Sequence, residues 1–249
     1  MKLYYKYLPI ERQSYFKDEL IRYTQPIDLN DPFECLPEKP TEKEFNEVVE
    51  KISGLLPKMG SPLSDKAGKL NLKEIYRNAY KNVNNDIGIL SLTKNWNNTL
   101  MWAHYTISHK GFCIGFDPND NYFKNYLSSD KEKSKTVKDV IYSDKRVKIP
   151  MELGQKRLEF EPYITKSKDW EYEEEVRVIA TLNLSDKKIE QKPVDIHLFK
   201  LPHRAIKEII VGVNINEKVE DLIKKFCIEK GIKFFKSKIS DKYFDMERA

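Results

Sequence analysis

The sequence predicts an α+β fold with a mixed, mostly antiparallel central sheet and flanking helices. It forms one domain over residues 1–249, with a helical insertion near 41–86. Three observations predict this. Apolar runs of strand length, such as Ile87–Thr93 (IGILSLT) and Glu208–Val213 (EIIVGV), recur along the chain. Segments with helical spacing and recognisable caps stand between them. No internal repeat and no Gly/Pro/Ser-rich linker divides the sequence.

In chain order, Leu3–Tyr7 reads as a short strand and Ser14–Arg22 as a helix capped by Ser14. Ile27–Leu29 leads into the turn Asn30-Asp31-Pro32. Thr41 and Glu44 form a capping box ahead of Phe45, Val48, Val49, Ile52 and Leu55 at helical spacing. Residues 57–70 carry Pro57, Gly60, Pro62 and Gly68 and read as a loop, and a second boxed helix begins at Asn71 with Glu74. A strand at Ile87–Thr93, a short helix at Thr99–Ser108 and a strand at Lys110–Asp117 follow. In the last of these Phe112, Ile114 and Phe116 share one face. Gly111, Cys113, Gly115 and Asp117 share the other, small enough to admit a second backbone or a ligand.

Residues 128–149 read as an exposed hairpin with Val140-Ile141-Tyr142 as its apolar part, and Met151–Tyr163 as a helix. Glu173–Leu182 and Ile196–Leu201 read as strands. Asn216 caps a helix carrying Val219, Leu222, Ile223, Phe226 and Cys227. Gly231 ends it, and Ile232–Ile239 closes the fold as a strand.

Composition removes several classes of function. With 40% hydrophobic and 33% charged residues and a mean hydropathy of −0.65, the chain has a globular, water-exposed balance. The net charge of +5 is mild, and 36 of the 44 basic residues are lysine, which lacks the phosphate-gripping fork of arginine. The lysines read as a solvated surface. None of the 9 glycines builds GxGxxG or a phosphate loop, which excludes a Rossmann dinucleotide fold and a Walker NTPase. Cys35, Cys113 and Cys227, with His104, His109, His197 and His203, form no metal-ligand spacing, so no metal is predicted. The odd, scattered cysteines point to a reducing cytoplasm. No apolar run suggests a signal peptide or a membrane span, so no membrane partner is expected, and the oligomeric state stays open.

Chemistry concentrates in three places. At Asn30-Asp31-Pro32-Phe33-Glu34, Asn30 and Asp31 either start a turn through side-chain-to-backbone bonds, or Asp31 and Glu34 hold a ribose hydroxyl, a cation or a catalytic partner. Trp102-Ala103-His104-Tyr105 sits at a helix-to-strand junction. There the aromatics and His104 either fill the core or bind a flat ring or a phosphate. In Trp170–Val178 (WEYEEEVRV), strand period puts Glu173, Glu175 and Arg177 on one face, spaced to perturb one another's pKa. Acids are depleted in strands, so this run is either a solvated edge or a working site.

The YKY near the start (Tyr5, Lys6 and Tyr7), NDPFE, WAHYTISHKGFCIGFD and W-x-Y-E-x-E-x-R resemble, from about residue 3 to residue 213, a bacterial family of unknown function. Its members often lie near phage-defence and mobile-element genes. A second resemblance is to ADP-ribosyltransferases, with Lys6 in the place of the anchoring His or Arg. Ser91-Leu92-Thr93 matches their Ser-x-Thr strand and Glu173-Glu174-Glu175 their Glu-x-Glu strand. Lysine at the first position departs from that pattern.

The second resemblance implies an ADP-ribosyltransferase-like fold and NAD as substrate. Glu175 would stabilise an oxocarbenium-like ribose, and Glu173 would orient or deprotonate the acceptor, which is a nucleic acid or a protein. Ser91 and Thr93 would line the nicotinamide pocket, and Tyr105 or Trp102 would stack on the ring. Three functions remain open: an NAD-using transferase or glycohydrolase acting as a defence effector or toxin, a non-enzymatic sensor or binding module, and a metal-dependent nuclease built on Asp31, Glu34, Glu173 and Glu175. Convergence of Lys6, Tyr105 and Glu175 in one pocket would favour catalysis.

Overall fold

A computed structural model describes residues 2–55, 86–127, 133–148 and 160–249. Its strands are β1 (Tyr4–Leu8), β2 (Leu20–Tyr23), β3 (Ile87–Thr93), β4 (Phe112–Phe116), β5 (Tyr126–Leu127), β6 (Ser134–Asp139) and β7 (Ile141–Ser143). These are followed by β8 (Thr165–Ser167), β9 (Glu175–Thr181), β10 (Lys187–Ile189), β11 (Ile196–Lys200), β12 (Ile206–Val211), β13 (Lys233–Ile239) and β14 (Met246–Arg248). The helices are α1 (Tyr15–Asp18), α2 (Glu42–Leu55), α3 (Thr99–Tyr105), α4 (Glu161–Ile164) and α5 (Glu217–Lys230).

The main sheet runs β14-β13-β12-β4-β1-β3-β9-β6-β5, and the small sheets are β10-β11-β2 and β7-β8. Among the described residues of the main sheet, only β12 and β13 pair in parallel. They are joined by α5, the kind of crossover that a parallel connection needs. The fold is therefore mixed α+β with a mostly antiparallel sheet. Its central strands β3, β4 and β9 are buried along almost their whole length, which explains their near-continuous apolar runs.

Local chemistry accounts for many of the boundaries. The capping box at α2 is formed, with the Thr41 amide donating to Glu44 (2.8 Å) and the Glu44 amide to Thr41 Oγ1 (3.3 Å). Asn216 caps α5 by accepting from the Lys218 amide, and Gly231 ends it at φ 65°. The small face of β4 is met by protein. A Cβ at Gly111 would collide with the Leu8 carbonyl oxygen, and one at Gly115 would press on Tyr5 and Glu208.

Other expectations are corrected. The helix expected over Ser14–Arg22 is the single turn α1. Ser14 makes no side-chain cap bond, and Glu19 turns left-handed at φ 58°, so Leu20 begins a strand. Helix α3 stops at Tyr105 rather than Ser108. Thr106 Oγ1 donates to the Trp102 carbonyl (2.5 Å), and Ile107, Ser108 and His109 are all left-handed. Within 128–149, of which residues 133–148 are described, β6 pairs antiparallel with β5 and joins the main sheet against β9 while β7 pairs with β8, so Val140-Ile141-Tyr142 is not the apolar part of one exposed hairpin. The strand expected from Glu173 starts at Glu175, after a 3-10 turn over Lys168–Glu173 and a left-handed Glu174. Strand β14 was not expected. The loop 57–70, the helix at Asn71 and the first part of the helix Met151–Tyr163 lie outside the described residues.

The close passage of β4 and β1 yields a test. Gly111→Ala must push the Leu8 backbone aside, and urea denaturation is expected to show a loss of about 1–3 kcal/mol. An unchanged midpoint would contradict that packing.

Candidate functional site

The central sheet is split. The β1–β3 ladder is confined to Tyr5 opposite Thr93, whereas β1 pairs with β4 from Tyr4 to Leu8, and β3 pairs with β9 along its full length. A cavity of about 240 Å³ opens there, lined among others by Lys6, Ser91, Thr93, Tyr105, Glu173 and Glu175. Lys6 bridges the split, its Nζ donating to the Ser91 carbonyl at 2.8 Å. A buried backbone oxygen without a strand partner needs a donor, and here a side chain supplies it.

Beside this inner cavity lies a buried ionic cluster. The Nζ of Lys166 is 2.6 Å from Glu173, 3.2 Å from Glu175 and 3.4 Å from Glu34. Arg177 grips Glu175 with Nε to Oε1 at 2.8 Å and Nη2 to Oε2 at 3.0 Å, and also bonds Glu34. Its Nη1 donates to the Tyr163 carbonyl at 2.8 Å. The second oxygen of Glu173 accepts from Tyr105 Oη at 2.5 Å, and the Glu175 amide donates to Tyr142 Oη at 2.7 Å. Glu34, Glu173, Glu175, Lys166 and Arg177 are all nearly solvent-free.

The protonation states follow from this packing. Burial pushes Glu175 up, but Arg177 and Lys166 outweigh it and hold the carboxyl down at about 2. For Glu34 burial wins, and its pKa is raised despite the same two cations. Burial would lower Lys166, yet Glu175, Glu34 and Glu173 hold it above the usual lysine range. Lys6 differs, since burial brings it down to about 8 against the pull of Glu175 and Glu173.

A second cavity, of about 610 Å³, shares Glu34 and Lys166 with the first and is lined further by Phe33, Arg146, Trp170 and Tyr172. The Lys166 ammonium lies 4.7 Å from the Trp170 ring centre, and the Arg146 guanidinium 5.4 Å from that of Phe33.

The three sequence regions are thus partly brought together. Lys6, Tyr7, Asn30, Glu34, Ser91, Thr93, Tyr105, Glu173 and Glu175 line the inner cavity. Asp31 and Trp170 line only the outer one, and Asp31 Oδ1 accepts from the Phe33 amide (2.9 Å) as a turn residue does.

Three expected ligand contacts are corrected. Trp102 is wholly buried, its indole donating to the Trp96 carbonyl (2.8 Å) and packing edge-on against Tyr7, so it is core. His104 is exposed on α3 and lines neither cavity, because helical spacing turns it away from Tyr105. Arg177 also lines neither cavity and acts as a buried counter-ion. Glu173 reaches the cavity from a turn rather than from strand period. Lys166 and Tyr142 were missed. The available signal was charge balance, since three buried acids need more than Arg177, but nothing distinguished Lys166 among 36 lysines.

The fold and site define a mixed α+β protein with a charged, ligand-sized cavity at a split in its sheet. Residues 101–178 match the family model described as a protein of unknown function (DUF2971). The match includes the WAHYTISHKGFCIGFD and W-x-Y-E-x-E-x-R segments, while YKY and NDPFE lie outside it. No curated protein and no solved structure gave a match. Among the described residues, no helix is long and apolar enough to cross a membrane, and no group of three or more His, Cys, Asp or Glu is placed to hold a metal ion.

Two stability measurements test the cluster. Arg177→Met leaves Glu175 and Glu34 short of a buried partner and is expected to cost about 3–5 kcal/mol by urea denaturation. Glu175 has its carboxyl pKa lowered in the fold from 4.5 to about 2, so its stabilising contribution is complete above pH 4.5 and is lost as pH falls towards 2. The stability gap between the natural chain and Glu175→Gln should therefore narrow over that interval. A gap independent of pH would contradict the pairing.

Proposed function

We propose that this chain cleaves the nicotinamide–ribose bond of NAD, as an ADP-ribosyltransferase-like enzyme or an NAD glycohydrolase. The observation that carries this reading is the convergence of Lys6, Ser91, Thr93, Tyr105, Glu173 and Glu175 on one cavity, from strands β1, β3 and β9, the end of helix α3 and the 3-10 turn before β9. A volume of about 240 Å³ suits a pyridine ring with its ribose. It is below the roughly 300–1,000 Å³ of sites that enclose a whole drug-sized ligand. The remainder of the dinucleotide would extend towards the outer cavity, past Glu34 and Lys166.

In this reading Glu175, kept ionised by Arg177 and Lys166, supplies the fixed negative charge that stabilises an oxocarbenium-like ribose. Glu173, oriented by Tyr105 and Lys166, holds the acceptor, either a nucleic acid or a protein. Tyr105 faces the nicotinamide ring. The metal-dependent nuclease reading is weaker, because Lys166 and Arg177 already pair with Glu34, Glu173 and Glu175 where a divalent cation would be needed. The same pairing favours a second reading, a non-enzymatic binding module in which the cluster is purely structural.

Incubation with nicotinamide-labelled NAD, with nucleic-acid and protein acceptors present, separates these readings. The natural chain is expected to release nicotinamide, Glu175→Gln to be slower by about 10²–10³-fold, and Tyr105→Phe to be impaired while losing about 1–3 kcal/mol of stability with its hydrogen bond to Glu173. No release by the natural chain, with Glu175→Gln merely less stable, would leave the binding module.

A further inference from the structure

We propose that Lys6 is the proton acceptor of the inner cavity, taking the proton of the hydroxyl or water that attacks the ribose. This rests on the N-glycosidic reading above, and it departs from a scheme in which a carboxylate does that work. The first ground is that the carboxylates are already engaged. Both oxygens of Glu175 are held by Arg177, both of Glu34 by Lys166 and Arg177, and those of Glu173 by Tyr105 and Lys166. Glu175, so bonded, is held well below the usual carboxylate range, and protonating it would break an ion pair in a water-poor site.

The second ground is the position of the amine. Lys6 lines the cavity, bonds the Ser91 carbonyl with one N–H, and forms no ion pair with any described residue. Lys166, by contrast, is surrounded by three acids. The groups that act on Lys6 come from several elements. Glu173 from the 3-10 turn before β9 and Glu175 from the start of β9 favour its charged form, while Arg12 from the turn after β1 and Lys166 from β8 oppose it. Burial tips the balance to a value of about 8, which leaves roughly a tenth of the amine neutral at pH 7 and about half at pH 8. That is the range in which a general base works best.

The step balances without a co-reactant. The C–N bond between ribose and nicotinamide breaks, and its electron pair leaves with the ring, which becomes neutral. The acceptor oxygen forms the new bond to the anomeric carbon, and its proton passes to the Lys6 amine. The cavity then returns that proton to solvent.

The test combines a pH profile with a direct titration. For the natural chain, kcat/KM for nicotinamide release is expected to rise with pH and level off above about 8. Lys6→Met is expected to lower the plateau by about 10²–10⁴-fold and to abolish that limb. Lys6→Cys alkylated to a thialysine is expected to restore activity, with the limb displaced to lower pH. A limb that persists in Lys6→Met would overturn the assignment. The amine of the natural chain is also titrated by ¹⁵N NMR of lysine Nζ, without any substrate. A midpoint near 8 keeps Lys6 as the base of this cavity even if NAD is not consumed, which would then count against NAD alone. A midpoint near the ordinary lysine value of about 10.4 overturns the proposal.

Discussion

The buried pairing of Arg177 and Lys166 with Glu34, Glu173 and Glu175 is the interaction on which the rest of the site depends. Charges taken out of water cost several kcal/mol each unless they are closely matched. This cluster matches them across segments distant in sequence: the turn at Glu34, strand β8, the 3-10 turn before β9, and β9 itself. Once Arg177 spans Glu175 and the Tyr163 carbonyl, α4 and β9 are held together. Lys166 ties the remaining acids to the same point. Glu175, so held, is rigid and is kept ionised by Arg177 and Lys166.

Backbone accounting explains why the cavity lies where it does. Strands β1 and β3 meet at a single pair, so carbonyls that a full ladder would satisfy need other donors, and Lys6 reaches across to Ser91. A hydrogen bond from a long side chain leaves a space where a strand-to-strand contact would leave none. The left-handed residue Glu174 does related work on the opposite wall. By ending the 3-10 turn just before β9, it lets Glu173 and Glu175 face one cavity although only Glu175 belongs to the strand. The geometry that joins a low-pKa carboxylate to a cavity-facing amine therefore arises from an interrupted sheet.

Much of the framework was legible in the sequence because it rests on local chemistry. The capping box of Thr41 and Glu44, the Asn216 and Gly231 ends of α5, and the apolar run of β3 each state their structure within a few residues. The misreadings have a common cause. Ser14–Arg22 has helical composition, yet β2 takes its second half to pair with β11, and that pairing is non-local. Trp102 looked like a ligand-stacking ring, but its indole finds the Trp96 carbonyl and its faces find the core. Lys166 carried no sign at all, since a lysine becomes a buried counter-ion only through residues far from it in the chain.

The sequence by itself determined the α+β class, the positions of the longer strands of the main sheet and of the longer helices, and the gathering of acids at 171–175. Periodicity, caps and turn residues act within one or two turns of chain, so these features need no partner to be read. The tertiary structure alone decided which acids face a cavity, which cations pair with them, and that Lys6 forms no ion pair with any described residue. Those outcomes depend on distances between segments far apart in the chain, such as Lys6 and Glu175, and on how far each group is removed from water. Burial and Coulomb energy are properties of the assembled sheet, and no stretch of the chain carries them alone.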